Sequence, residues 1–235
     1  AASASAATIA AADADLDAAF AELARVSASR AEITGRATMT SRSQLHFVAE
    51  SSRAVTSDVD VQLILTDQFG EAVATGRGRI AVGTRAVAIR ATVPAAAVGP
   101  LQAIMRISGG DTRGGDTVPV RAPDGLLADA QLTRIDGATA TPVAAPVFSR
   151  RERLRASWTM MGAGALTRRD ARVLDRRGQP LPVASVVTVD ESGARAVIHV
   201  DLTCAPLAPG DYVIELMAAT DGTATRRVIA FRVTQ

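Results

Sequence analysis

The sequence repeats itself at a nearly constant spacing, and this repeat limits the possible folds more than any other feature. Segment 63–70 parallels segment 171–178, and within them Asp67 and Asp175 both stand three residues before a glycine, at an offset of 108. Three further pairs match at offsets of 110, 111 and 109: Arg85-Ala86-Val87 with Arg195-Ala196-Val197, Gly99-Pro100-Leu101 with Gly210-Asp211-Tyr212, and Leu45 with Leu154. A period of this length corresponds to one β-sandwich domain of about 100 residues.

Each repeat is built from segments in which apolar residues alternate with other residues. In the first repeat Val59, Val61, Leu63 and Leu65 occupy every second position, and the segment is followed by the turn residues Gln68-Phe69-Gly70. In the second repeat the same spacing relates Leu154, Ala156 and Trp158. A period of two between turn residues is typical of strands that bury one face. The alternation predicts a mainly β protein in which Trp158 is a core residue.

The single tyrosine of the chain indicates which kind of sandwich to expect. Pro209 and Gly210 form a turn signal that leads Tyr212 into the apolar segment 212–216. A penultimate strand of immunoglobulin-like sandwiches often begins this way, with the tyrosine hydroxyl bonded back to the main chain. We therefore predict two tandem immunoglobulin/fibronectin-III-like β-sandwiches. The first repeat has Leu101 at the equivalent position, so it is predicted to lack that hydrogen bond.

A helix is predicted before the first repeat. Ile9, Leu16, Phe20 and Leu23 recur at steps of seven, four and three, which places them on one helical face over roughly residues 9–27, with Thr8 as a possible cap. The predicted organisation is an Ala-rich segment and connector helix at 1–33, sandwich 1 at 34–122, a linker at 123–127 and sandwich 2 at 128–235.

The composition excludes several classes of partner. The 26 basic residues are all arginine, and the absence of lysine and asparagine indicates a high-GC bacterial genome. The 24 acidic residues leave a net charge of +2 without a basic stripe, so nucleic acid is not expected as a partner. No apolar run approaches the ~20 residues needed to cross a bilayer, so no membrane insertion is predicted.

The residues that carry most hydrolytic or metal chemistry are scarce. His46 and His199 fall in different repeats and are interpreted as solvent-facing or rim residues, and Cys204 as a small buried hydrophobe. Segment 109–117 resembles a Gly/Asp calcium repeat, but two turns supply fewer than the six to eight oxygens that calcium takes, and we interpret it as a hairpin loop while leaving calcium binding open. The prediction is a non-catalytic protein without a cofactor or structural metal.

Arginines cluster around the predicted strand that contains Trp158. Arg151 precedes the strand, Arg153 and Arg155 are outward-facing positions within it, and Arg172 and Arg176 could extend the cluster. One interpretation is a solvated strand face, and the other is a contact surface for an acidic partner or a neighbouring subunit, because arginine and tryptophan are favoured at interfaces.

The second repeat resembles the C-terminal region of large secreted proteins of Acidobacteria-type bacteria that carry a von Willebrand factor A-type domain. The matching segments are 146–154, 171–183, 205–216 and 227–233. The resemblance implies tandem sandwiches behind a helical connector, and it would place the A-type domain and its metal site outside this chain.

The resulting functional prediction is a non-catalytic structural or protein-interaction module that is secreted, periplasmic or on the cell surface. Its expected partner is protein, either a second copy or a preceding domain of the same polypeptide. The alternative is a carbohydrate- or small-ligand-binding accessory module of a secreted enzyme. We rank it second because sugar sites present exposed aromatic rings, whereas Trp158 and Tyr212 are predicted to be buried, and a small-molecule ligand is accordingly disfavoured.

Overall fold

The computed structural model describes residues 2–28, 31–95, 97, 99–109, 112–162 and 164–235. One helix, α1 (Ala2–Ala28), precedes strands that form two layered sandwiches, so the predicted fold class is confirmed. The strands are β1 (Ile33–Ser41), β2 (Gln44–Ser51), β3 (Val59–Thr66), β4 (Ala72–Ile80), β5 (Ala86–Thr92), β6 (Leu101–Gly109), β7 (Thr112–Val120), β8 (Gln131–Asp136), β9 (Thr139–Val143), β10 (Val147–Ser149), β11 (Arg153–Thr159), β12 (Arg168–Leu174), β13 (Ser185–Asp190), β14 (Val197–Thr203), β15 (Gly210–Thr220) and β16 (Thr223–Thr234).

Sandwich 1 packs the three-stranded sheet β1-β2-β5 against the four-stranded sheet β4-β3-β6-β7. Its core contains the alternating residues of β3 that the sequence predicted, together with Phe47 of β2 and Met105 of β6. The sheets approach closely where β4 meets β5, because a Cβ on Gly76 would lie 2.5 Å from Ile89 Cγ2. A glycine is needed there because any side chain would displace Ile89.

Sandwich 2 packs the five-stranded sheet β13-β14-β11-β8-β9 against the four-stranded sheet β10-β16-β15-β12. Strand β10 runs parallel to β16, and the other pairs are antiparallel. Trp158 is 1% exposed and lies in this core with Phe148 and Phe231, whose rings meet edge to face with centroids 6.4 Å apart.

The two sandwiches differ in the sheet to which one edge strand belongs, β4 in sandwich 1 and β13 in sandwich 2. In sandwich 2 strands β8, β11, β14 and β13 have the order of the A, B, E and D strands of a constant-type immunoglobulin sandwich. In sandwich 1 the fourth strand, β4, instead pairs with β3 in the opposite sheet. The repeat in the sequence therefore specifies equivalent central strands but not equivalent edges.

The repeated Asp-to-Gly spacing has a clear local cause. Asp67 Oδ1 accepts hydrogen bonds from the main-chain N–H groups of Phe69 and Glu71, at 2.9 and 3.0 Å. Asp175 Oδ1 forms the equivalent bonds with Arg177 and Gln179, both at 2.8 Å. The glycine that follows each aspartate has a positive φ, +82° at Gly70 and +77° at Gly178. Both copies thus use the same aspartate-stabilised turn, after β3 in sandwich 1 and after β12 in sandwich 2.

Helix α1 packs on the outer face of the β10-β16-β15-β12 sheet. Leu23 is 1% exposed and contacts a small apolar cluster with Leu174, Val213 and Ala230. The predicted stripe residues Leu16 and Phe20 pack against the same cluster, whereas the Ile9 side chain lies outside the described part of the chain. The proposed cap at Thr8 is wrong, because the helix begins at Ala2 and Thr8 lies within it.

The loop predicted over 109–117 is also wrong for most of its length. Residues 112–117 belong to β7 and pair with β6, so the connection is confined to the neighbourhood of residues 110 and 111, which lie outside the described residues. Gly114 and Gly115 are part of this strand and pair with Ile107 and Arg106 of β6. The two strands lie so close here that a Cβ on Gly115 would approach Met105 O within 2.6 Å.

The sandwiches lie side by side. The outer face of β1-β2-β5 faces sandwich 2, where β9 lies against β2 and β5. Consequently Thr38, Val48 and Glu50, which point away from the core of sandwich 1, are all buried. The segment predicted as a linker supplies Leu126 and Leu127 to the core of sandwich 2.

Candidate interaction surfaces and ligand cleft

A buried carboxylate joins the two sandwiches. Glu50 of β2 is 3% exposed, and its Oε2 accepts hydrogen bonds from the main-chain N–H groups of Ala144 and Ala145, at 2.8 and 3.0 Å. Its Oε1 lies 2.9 Å from Arg134 Nη1 and 3.7 Å from Arg85 Nη2. Three donors from sandwich 2 therefore bind one carboxylate of sandwich 1, which compensates for its loss of water.

Arg134 is itself held in place from several sides. Its Nη2 donates to Val147 O at 2.9 Å, and its guanidinium carbon lies 5.3 Å from the centroid of the Phe148 ring. Its Nε lies 2.7 Å from Glu152 Oε1, but the N–H does not point at that oxygen, so this contact is an ion pair without a hydrogen bond. Arg134 and Glu50 thus form a fixed contact between the sandwiches.

The predicted arginine surface is divided between opposite faces of sandwich 2. Arg155 lies on the outer face of the five-stranded sheet and forms two hydrogen bonds with Asp201, at 2.8 and 2.9 Å. Arg172 lies on the other sheet and pairs with Glu215. Arg151 and Arg153 are exposed, and within the described part of the chain neither has an ion-pair partner. The five arginines therefore do not form one patch.

Arg172 lies on the sheet to which the helix docks, and Arg176 contacts the helix itself. Burial alone would raise the pKa of Glu215, but hydrogen bonds from Arg172 and Arg226 lower it. Arg226 also lies 3.1 Å from Asp15 of α1. Arg176 lies over the Phe20 ring, 5.8 Å from its centroid. The contacts of Arg226 and Arg176 fasten the helix to the sheet. Of the arginines predicted for a partner, Arg176 therefore has a structural use at the helix, and Arg172 pairs with Glu215 within the sheet.

The turn and the tyrosine that were predicted to begin the penultimate strand lie at the start of β15. The Tyr212 hydroxyl donates to Ala208 O at 2.8 Å, across the turn made by Pro209 and Gly210. The Tyr212 ring is half-buried and lies 5.8 Å from the centroid of Phe231. This is the geometry of a tyrosine corner.

The histidines and the cysteine lie in unrelated surroundings. Cys204 is fully buried, and burial, with a smaller contribution from Glu152, raises the pKa of its thiol to about 11. Burial and then Arg90 lower the pKa of His46, which is half-buried on the face of sandwich 1 that meets sandwich 2. No group of three or more metal-ligating side chains occurs among the residues that the structure describes.

One pairing was missed from sequence. Ser157 Oγ lies 2.8 Å from His199 Nδ1 on neighbouring strands β11 and β14. The carboxylate that could orient the histidine, Asp201, is already bound by Arg155 through both oxygens. A serine nucleophile needs an oriented base and an oxyanion site, and we assign this pair to packing of the outer sheet face. Only the strand register could have revealed it.

A cleft of about 230 Å³ opens where the helix and the two sandwiches meet. Its walls are α1, the edge strands β1 and β7 of sandwich 1, the middle of β16, and the segments that contain Arg121, Asp129 and Pro146. The charged lining residues are Asp15, Glu22, Arg36, Arg121, Asp129, Arg226 and Arg227.

Most of these charges have partners within the chain. Glu22 binds Arg25, with Nη2 and Oε1 2.8 Å apart, and Arg25 lowers the pKa of Glu22. Arg227 binds Asp124 at 2.5 Å and Arg226 binds Asp15. Arg36, Arg121 and Asp129 differ, because the described residues offer none of the three a hydrogen bond or an ion pair.

Arg36 is the more unusual of these two arginines. It points away from the core of sandwich 1, is half-buried, and has its pKa lowered by burial in spite of the opposing fields of Glu22 and Asp129. No sequence pattern indicates this cleft, because its residues are brought together from the helix, from edge strands and from segments on both sides of the linker.

A second recess, of about 510 Å³, lies at the β1–β2 turn beside the linker. Its charged residues include Asp124, which Arg227 binds, and Arg195, which donates to Met161 O at 3.2 Å. It therefore contains fewer uncommitted groups than the cleft.

Comparisons with known proteins leave the function open. The sequence matches no protein-family model and no curated protein. Among solved structures, bovine butyrophilin shares 10% identity over 87% of this chain and 100% of its own, with a TM-score of 0.29. A tandem pair of titin immunoglobulin domains shares 11% identity over 86% of this chain and 98% of its own, with a TM-score of 0.24. At these TM-scores neither similarity supports an inference, and the fold assignment rests on the strand pairing.

Proposed function

We propose that this chain is a non-catalytic structural or protein-interaction module whose helix and two sandwiches act as one rigid body. The observation that carries the proposal is the buried Glu50–Arg134 contact. Adjoining domains move relative to one another by default unless their interface is large and apolar. A buried ion pair contributes little net stability, but it favours one arrangement because each misaligned state leaves a charge unpaired.

A fixed arrangement suits a protein that presents a surface rather than one that opens and closes on a substrate. The second support is the helix, which is tied to sandwich 2 by Leu23 and by the pair of Arg226 with Asp15. Arg151 and Arg153 are the members of the predicted arginine surface that remain available for an acidic protein partner.

The rigid-body proposal can be tested by distances between spin labels. Labels at Glu71→Cys in sandwich 1 and Asp221→Cys in sandwich 2 occupy exposed turns, and the buried Cys204 should not react. We expect a narrow distance distribution for the parent chain and a broadened one for Glu50→Ala. Asp60→Ala, which removes an exposed pair with Arg79 inside sandwich 1, is the matched control and should leave the distribution narrow. A broad distribution in the parent chain would contradict the proposal.

We further propose that the module functions outside the cytoplasm, as an accessory part of a larger surface polypeptide. The support is the resemblance of its second repeat to secreted proteins with an A-type domain, so this part rests on sequence alone. An antibody against the chain should detect a band well above 24.2 kDa in the extracytoplasmic fraction of the native cell. A cytoplasmic band would overturn the proposed location.

The carbohydrate-binding alternative stays second. Trp158 is fully buried, and the Tyr212 ring is half-buried against Phe231, so neither ring forms an open platform. Protection of Trp158 fluorescence from a soluble quencher by added glycans would reverse the ranking.

A further inference from the structure

The cleft between α1 and the two sandwiches contains a half-buried cation for which the described part of the chain offers no ion-pair partner. Arg36 presents a half-buried guanidinium without a partner there. A cation that has lost part of its hydration is costly unless an anion or acceptors replace the water. Elsewhere in this protein comparable arginines are paired, as Arg134 is with Glu50 and Arg226 with Glu215. The missing counter-charge at Arg36 therefore has to come from a bound anion or from solvent.

The charges around Arg36 indicate which anion would fit. Arg121 lines the same cleft, is exposed and has no partner among the described residues. The cleft therefore has two guanidinium groups, one from β1 and one from the segment that follows β7. The nearby carboxylates of Glu22 and Asp129 would repel a compact dianion more strongly than single negative charges that are separated along a molecule. The planar fork of arginine binds a carboxylate through two parallel hydrogen bonds.

The volume limits the size of the ligand. At about 30 Å³ for each water, a cleft of 230 Å³ holds the equivalent of roughly eight water molecules. That is below the range of about 300–1,000 Å³ typical of pockets for drug-sized ligands. A molecule of about eight non-hydrogen atoms would fill it, and a nucleotide or an oligosaccharide would not fit.

We propose that this cleft binds a small carboxylate, held by Arg36 and Arg121, at the point where the helix and both sandwiches meet. This site goes beyond the proposed structural role, and it reverses the expectation from sequence that a small-molecule ligand is disfavoured. Because its walls come from all three parts, ligand binding would stabilise their arrangement.

The test is thermal unfolding of the full chain with sodium succinate as the probe, against sodium chloride and sodium sulfate at equal ionic strength. At ten times its Kd, succinate should raise Tm by about 3–5 °C for a chain of this size, and chloride should not. The replacement Arg36→Met should remove the succinate effect. In the absence of succinate its Tm should be equal to or above that of the parent chain, because a cation without a partner is lost. Arg121→Met should weaken binding about tenfold or more.

Arg79→Met is the matched control, because Arg79 is an exposed arginine of sandwich 1 already paired with Asp60. It should keep the full succinate effect. The proposal is overturned if succinate acts no more strongly than chloride, or if sulfate acts as strongly as succinate. A full succinate effect in Arg36→Met also overturns it. The same holds if, without succinate, the Tm of Arg36→Met lies several degrees below that of the parent chain, because Arg36 would then be a structural contact. Binding of a glutamate-rich peptide without binding of succinate would point to a protein partner instead.

Discussion

At the scale of single residues, Tyr212 shows a side chain whose role follows from its own hydrogen bond. In Tyr212→Phe the ring can keep its contact with Phe231 while the bond from the hydroxyl to Ala208 O is lost. We expect the free energy of unfolding to fall by about 1 kcal/mol, the usual net value of one hydrogen bond, as measured by urea denaturation. A change at Leu101, the equivalent residue of sandwich 1, removes no such bond. An unchanged Tyr212→Phe variant would mean that the corner contributes no stability.

The two histidines predict a pH dependence. Burial lowers the pKa of both His46 and His199 below the usual 6.5, helped by Arg90 at His46 and by Arg155 at His199, against the opposite effects of Asp201 and Asp190. As the pH falls below 6.5 the unfolded chain binds protons that the folded chain does not, so stability present above 6.5 is progressively lost.

The carboxylates with lowered pKa values, such as Glu22 and Asp211, make stability depend on pH mainly below their usual pKa values of 4.5 and 3.8. Between pH 6.5 and pH 5 the loss should therefore come mainly from the histidines. Urea midpoints measured across this window should decline in the parent chain and decline less in His46→Gln. An equal slope in both proteins would show that His46 does not contribute.

At the scale of elements, the aspartate turn that follows β3 in sandwich 1 and β12 in sandwich 2 can be tested by substitution. Asp175→Ala removes two hydrogen bonds to main-chain N–H groups, and we expect a loss of about 1–2 kcal/mol in the free energy of unfolding. Asp175→Asn keeps a side-chain oxygen and is the control, with a smaller loss. Equal losses in the two variants would show that the charge, and not the hydrogen-bonded turn, is what matters.

The elements also show how far sequence patterns reach. The alternation in β3 and in β11 gave the inward residues correctly, because each strand buries one face whatever lies next to it. The segment 112–117 was predicted as part of a loop because glycines are common in turns. Its glycines are instead compatible with a strand that passes close to the main chain of β6. Glycine thus marks both turns and close approach, and only the neighbouring strand distinguishes the two.

At the scale of the whole molecule, Glu50 should couple the unfolding of the two sandwiches. Glu50→Gln leaves Arg134 without its full counter-charge. We expect the free energy of unfolding to fall by about 3 kcal/mol, because the remaining buried charge is no longer compensated. Trp158 fluorescence follows sandwich 2, and far-UV circular dichroism follows the whole chain.

In the parent chain the two signals should give one urea transition, and in Glu50→Gln they should separate. The control is Asp60→Asn, whose exposed pair with Arg79 is screened by solvent and should leave the transitions coincident. Coincident transitions in Glu50→Gln would show that the interface does not depend on this carboxylate.

The sequence by itself determined the two sandwiches, their central strands, the helical stripe and the tyrosine corner, because each of these follows from local periodicity or from residues close together in the chain. Only the tertiary structure decided where β4 and β13 pair, that Glu50 meets Arg134, that the five arginines divide between two faces, and that Arg36 lies in a cleft. Those outcomes depend on which outer faces meet. An outward-pointing side chain has the same alternation whether it faces water or a second sandwich, so the pattern carries no information about the choice.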